Sequence, residues 1–221
     1  MNSPKAIIFD MDGLLIDSER LSCDAWIEAA GEWGYEMSDE TYGLVIGRTV
    51  REAERVFSEF YGEDFPFYDI REKRVQLTRA HYAKHGVPIK SGVSELLQLV
   101  DKLKLPRAVA TSTSHKPAHD KLEKTGLRPH FHAVVTGDEI ANGKPAPDIF
   151  LLAAQRINAN PTDCMVLEDS EAGIKAAHTA GMTPIMVPDI KMPDAETRKI
   201  AAHVMPSLHE VRQLINDLFS N

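Results

Sequence analysis

Two carboxylates two residues apart, Asp10 and Asp12, close an apolar run at Lys5-Ala6-Ile7-Ile8-Phe9-Asp10-Met11-Asp12-Gly13. Such a run reads as a buried strand giving way to a loop, and side chains two apart on a strand point the same way. The two acids would then share one small volume unless the turn separates them. Crowding of like charges is relieved by a divalent cation with oxygen ligands, by a nearby ammonium, or by a proton kept on one partner, and each remedy implies chemistry. An ordinary Asp- and Gly-rich turn would give the same letters with no chemistry at all.

Three further clusters follow. Thr111-Ser112-Thr113 ends the apolar segment 107–111, and Glu168-Asp169-Ser170 ends the segment 164–167. Lys144 lies in Asn142-Gly143-Lys144-Pro145-Ala146-Pro147-Asp148, where a Gly/Pro-rich backbone can aim an ammonium. Taken singly, the hydroxyl and acidic clusters read equally well as helix N-caps, and Lys144 as a solvated charge. Gly137 to Lys144 brushes against a P-loop. It has one residue too many between its glycines, and Pro145 stands where Ser or Thr should ligate a metal, so that reading fails.

The elements that must carry these residues fall into two rhythms. Residues 18 to about 86 have helical periodicity and no clear strand. Leu21, Ala25, Trp26, Ala29 and Trp33 keep helical spacing, as do Ala53, Val56, Phe57 and Phe60 after a capping-box pattern at Thr49 and Glu52. Trp26, Trp33, Phe57 and Phe60 therefore read as core and not as a base-stacking platform. A helix over 69–85 closes at Gly86. Beyond it strands alternate with helices: strands at 107–111, 133–136, 164–167 and 184–187, helices at 148–157 and 171–180, and a last helix opened by Ser207 and Glu210.

This pattern predicts an α/β fold with a doubly wound, Rossmann-like parallel sheet. Residues 1–16 and 87–221 would form the core, with residues 17–86 inserted as a small helical module on short hinges. Ligands of such sheets bind beyond the carboxyl ends of the strands. Asp10, Asp12, Thr111, Ser112, Glu168 and Asp169 would all meet on that one edge, with Lys144 aimed at it.

Read together, the four motifs resemble the haloacid dehalogenase-like hydrolase superfamily, in the branch with a helical cap inserted after the first strand. They are Asp10-Met11-Asp12-Gly13, the Thr111-Ser112 strand end, Gly143-Lys144-Pro145-Ala146-Pro147-Asp148, and Glu168-Asp169-Ser170-Glu171-Ala172-Gly173. The likeness covers nearly the whole chain. Within the branch it is similar to sugar-phosphate phosphatases, beta-phosphoglucomutase and pseudouridine-5'-phosphatase, the last through residues 9–21 and Met186-Val187-Pro188-Asp189.

The resemblance implies a magnesium-dependent phosphatase acting on a small phosphorylated metabolite, a sugar phosphate or a nucleoside monophosphate. Asp10 would attack phosphorus and form an aspartyl-phosphate. Asp12 would protonate the leaving oxygen and then take a proton from water. Mg2+ would be held by the Asp10 carboxylate, the Asp12 backbone carbonyl and Asp169, with Glu168 acting directly or through water. Lys144, the Thr111 hydroxyl and the Ser112 backbone N–H would hold the phosphoryl oxygens. Arg48, beside Gly47 and Thr49, is the candidate substrate contact on the cap. A phosphomutase is the main alternative, but Ser22 occupies the position where beta-phosphoglucomutases carry the histidine of their mutase cycle. A phosphorylation-sensing receiver domain would need its acceptor Asp at the third strand and no helical insertion, and a degenerate, binding-only relative would lack some expected catalytic position.

Composition sets the outer bounds. A chain of 221 residues with a formal charge of -8 has no general surface for nucleic-acid polymers, though a local basic pocket for one phosphate is compatible with it. Two distant cysteines, Cys23 and Cys164, read as reduced, which points to the cytoplasm. No apolar stretch approaches a membrane span, and the chain enters a strand at once instead of a cleavable signal, so the mature protein is expected to be the chain shown. A monomer or weak dimer is expected. Histidine pairs at His115/His119 and His130/His132 lack the further ligands a transition metal needs.

Overall fold

The structure, a computed structural model, describes residues 2–46 and 50–220. The chain divides into two compact units, Met1–Asp17 with Val87–Asn221, and Ser18–Gly86. Asp17 belongs with the first unit, where its N–H donates to the Pro88 carbonyl at 3.0 Å.

The first unit is built on six parallel strands, β1 (Ala6–Phe9), β2 (Arg107–Thr111), β3 (Ala133–Thr136), β4 (Cys164–Glu168), β5 (Thr183–Met186) and β6 (His203–Val204), in the order β3-β2-β1-β4-β5-β6. Strand alternation sorts β1 between two cores. Ile7 and Phe9 pack with Leu96, Leu97, Val109, Leu122, Leu167, Val211 and Ile215 on one face, whereas Ala6 and Ile8 join Ala108, Ala110, Phe150, Ala153, Val166 and Ala177 on the other. Both faces are therefore apolar, and every full strand reads as a continuous hydrophobic run.

The second unit holds α1 (Ser18–Glu32), α2 (Asp39–Gly43), α3 (Val50–Tyr61) and α4 (Phe67–His85). Trp26 is its centre, with the Phe57 ring at 5.3 Å and the Phe67 ring at 5.6 Å. Trp33 and Phe60, expected in the core, are 40% and 58% exposed. Trp33 falls one residue beyond the end of α1, and Phe60 rests edge-on against Tyr61 instead of entering the Trp26 cluster.

The remaining helices belong to the first unit: α5 (Val93–Lys102), α6 (His115–Lys124), α7 (Asp148–Arg156), α8 (Glu171–Thr179), α9 (Ala195–Ile200) and α10 (Leu208–Ser220). Residues of α5, α6 and α10 enter the first core, and those of α7 and α8 the second. Ser207 serves α10 through its side chain, donating to Glu210 and accepting from the His209 N–H at 3.1 Å. Thr49, the other expected cap, lies outside the described residues. Cys23 and Cys164 are buried and free, and no helix among the described residues is long and apolar enough to cross a membrane.

Candidate active site

Strands β1 and β4 lie side by side at the point where the strand order reverses direction, and their ends open the crevice. Asp10 follows β1 directly and is tied to β4 through its N–H, which donates to the Leu167 carbonyl at 3.0 Å. Its carboxylate therefore emerges beside Glu168, the last residue of β4. Both are buried, Asp10 at 6% exposure and Glu168 at 1%.

Lys144 reaches between them. Its ammonium donates to Asp10 Oδ1, to Glu168 Oε1 at 2.6 Å and to the Ala110 carbonyl at 3.2 Å, with its side chain 6% exposed. The Phe150 ring of α7 stands 5.0 Å from the ammonium. Burial pushes the Asp10 carboxyl up to about 7 against the pull of Lys144, and the Glu168 charge adds to the rise. Burial also draws the Lys144 ammonium downward, but Asp10 and Glu168 outweigh it and raise it. Burial thus dominates at Asp10, whereas the two facing carboxylates dominate at Lys144.

Two glycines clear the space these acids occupy. A Cβ on Gly173, in the first turn of α8, would lie 1.8 Å from Glu168 Oε1, and one on Gly13 would lie 2.1 Å from Asp169 Oδ2. Gly13 also has φ +85°, a conformation only glycine adopts cheaply. Ser170 completes the Glu168 setting. Its N–H and hydroxyl donate to Glu168 Oε2 at 2.6 and 2.8 Å, while its oxygen caps α8 by accepting from the Gly173 N–H at 3.0 Å. Ser170 therefore caps α8 and holds Glu168 against Lys144 at once.

The turn after β1 gives Asp12 partners of its own. The strand ends at Phe9, and beyond it the Asp12 side chain turns toward α6, where it accepts from Thr113 Oγ1 at 2.7 Å and from Lys121 Nζ at 2.5 Å. Asp10 and Asp12 therefore have separate cations, Lys144 and Lys121. The sequence reading missed Lys121. Its signal was a lysine three residues after Ala118 and next to Leu122, on the helix face that enters the core.

Thr111 is buried at the end of β2, and its Oγ1 accepts from the Thr113 N–H at 3.1 Å, which fixes the turn that presents Thr113 to Asp12. Ser112 is exposed, with its carbonyl packed against Gly137. Neither residue is needed as a helix cap, because the Asp138 carboxylate accepts from the first N–H of α6 at 3.0 Å. Arg48 lies outside the described residues. His132 accepts from the Arg107 N–H at 3.2 Å, and His130 lies against Asp101.

A family model described as haloacid dehalogenase-like hydrolase matches residues 7–187. The chain belongs to this family. Membership decides against the receiver domain. Among relatives, a phosphorylated carbohydrates phosphatase of Thermotoga maritima is 33% identical, with 82% of this chain and 83% of that protein covered. A probable pseudouridine-5'-phosphatase of Drosophila melanogaster is 34% identical, over 93% of this chain and 90% of its own. The crystal structure of a putative beta-phosphoglucomutase from Thermotoga maritima superimposes with a TM-score of 0.79 at 27% identity, over 96% of this chain and 99% of that one.

Hydrolases of this family generally use Mg2+, and the pocket fits such an ion. Asp10, Glu168 and Asp169 each offer an oxygen, all within 4.8 Å of one another, and they are the one such cluster of three among the described residues. Three carboxylates with hard oxygens are the donor set a small divalent cation takes.

Proposed function

We propose that the protein is a Mg2+-dependent phosphatase of small phosphorylated metabolites, working through an aspartyl-phosphate on Asp10. The observation that carries this reading is the buried meeting of Asp10, Glu168 and Lys144 at the ends of adjacent strands, beside Asp169. A carboxylate is a weak nucleophile, so it must be held in line and shielded from the negative phosphate it attacks. Lys144 supplies a fixed positive charge one hydrogen bond from Asp10, and the same ammonium can neutralise a phosphoryl oxygen.

Mg2+ would be held by Asp10, Asp169 and the Asp12 backbone carbonyl, with Glu168 beside them, and when bound it supplies charge neutralisation for the phosphoryl group. The rest falls to the chain itself. Asp10 attacks phosphorus and the ester oxygen leaves with a proton from Asp12. Asp12 then removes a proton from the water that splits the acyl-phosphate, and inorganic phosphate departs. Thr111 and the Ser112 N–H would donate to the phosphoryl oxygens. Residues 18–86 would act as a cap that excludes water and selects substrate, with Arg48 as its contact, on a core of residues 1–17 and 87–221. The family suits a cytoplasmic protein whose partners are small phosphorylated metabolites, not membranes or nucleic-acid polymers.

Phosphatase and phosphomutase share every step up to the aspartyl-phosphate. Ser22, in α1, stands where the mutases carry histidine, which favours water as the acceptor. The test is a magnesium-dependent phosphate-release panel of hexose phosphates, pseudouridine 5'-phosphate, phosphoglycolate and nucleotides. Free phosphate is expected with wild-type protein, none with Asp10→Asn and very little with Asp12→Asn. Substantial turnover by Asp10→Asn contradicts the assignment, and isomerised sugar phosphate with little free phosphate would make the protein a mutase.

A further inference from the structure

Asp12 is gripped by two residues to which the mechanism assigns no role. Thr113 occupies Oδ2 and Lys121 occupies Oδ1, so both oxygens have a donor and the plane of the carboxylate is set. The Asp12 and Lys121 side chains are 23% and 20% exposed. Lys121 belongs to α6 between the buried residues Ala118 and Leu122, whereas Lys116 and Lys124 on the same helix face solvent. A lysine bound down at such a place loses rotamer freedom and hydration, and the charged hydrogen bond to Asp12 is what offsets that loss.

We propose that Lys121 and Thr113 are positioning residues that aim the Asp12 carboxylate at the ester oxygen. This rests on the assignment of Asp12 as acid and base. An acid that must meet a leaving oxygen during bond cleavage is useful only in a narrow range of distance and direction. The Thr111 hydroxyl orders the same turn by accepting from the Thr113 N–H, so the end of β2 and the face of α6 together fix Asp12 from outside the nucleophile's own pocket.

The leaving group separates positioning from a plain structural tie. An alkoxide departing from a sugar or glycerol phosphate needs a proton as the bond breaks, whereas p-nitrophenolate departs without one. kcat/KM covers the steps up to loss of the leaving group. Lys121→Met and Thr113→Val are compared with wild type on p-nitrophenyl phosphate and on an alkyl phosphate the wild-type protein hydrolyses, β-glycerol phosphate being the first used. Thermal melts are run on each protein. General acids contribute large factors, so kcat/KM on the alkyl phosphate is expected to fall roughly 10- to 100-fold. On p-nitrophenyl phosphate it should change far less. Thr113→Ser, which keeps the hydroxyl, should recover most of the loss. Equal losses on both substrates, or no loss on either, overturn the proposal, and Thr113→Val carries the test should Lys121→Met not fold. Turnover of p-nitrophenyl phosphate surviving in Asp10→Asn would instead overturn the underlying phosphatase mechanism, so the two failures are distinct.

Discussion

Asp10 is a carboxyl whose neutral form the fold favours in the absence of a cation. Its value rises from 3.8 to about 7, first through burial and then through Glu168, against the opposing charge of Lys144. The stabilisation this gives the metal-free protein is complete below the unfolded value and is lost as pH climbs through the folded one. The Asp10 contribution to the melting temperature of the metal-free protein, read as the difference between wild type and Asp10→Asn, is therefore expected to fall between about pH 4 and about pH 7. A cation needs the ionised carboxylate, so added magnesium should raise the melting temperature more at the alkaline end of that window than at the acid end. Equal gains at both ends would contradict the burial-driven shift. Asp10, Lys144, Glu168 and Asp169 were legible in the sequence because each sits in a short local motif. Lys121 was not, since a lysine ten residues beyond the strand end declares itself only through the helix face it occupies.

At the scale of elements, the site is the junction of β1, β4 and the first turn of α8, and its tightest point is Gly173. Gly173→Ala would drive Glu168 away from Lys144, at a cost of about 1–3 kcal/mol for forced overpacking. Denaturant unfolding should register that loss together with lost phosphate release. Gly31→Ala in α1, where an added Cβ meets nothing within 4 Å, should be neutral or slightly stabilising. Unimpaired activity in Gly173→Ala would remove Glu168 from the account. The strands β1 to β5 were readable because a parallel sheet buried on both faces leaves uninterrupted apolar runs. The two-residue β6 and short helices α2 and α9 carry too few turns or residues to set up a period, and they went unread. Trp33 and Phe60 show the converse, since helical spacing assigned them a face without stating whether another element covers it.

For the whole molecule, the chain order of its parts says more than its composition. Acids after β1, hydroxyls at the end of β2, the Lys144 ammonium and the acids at the end of β4 come together from four separate stretches of the first unit, consistent with membership of the hydrolase family. On the proposed function, the formal charge of -8 gives a phosphate no help from the protein's overall field, so its reception would fall to local charge such as Lys144 and to a bound cation. The central claim is that Asp10 itself becomes phosphorylated. Acid quenching during turnover of p-nitrophenyl phosphate with magnesium, followed by borohydride reduction and peptide mass mapping, reads this directly. Reduction confined to residue 10 is the expected result. Phosphate release with residue 10 unmodified and another side chain reduced would contradict it.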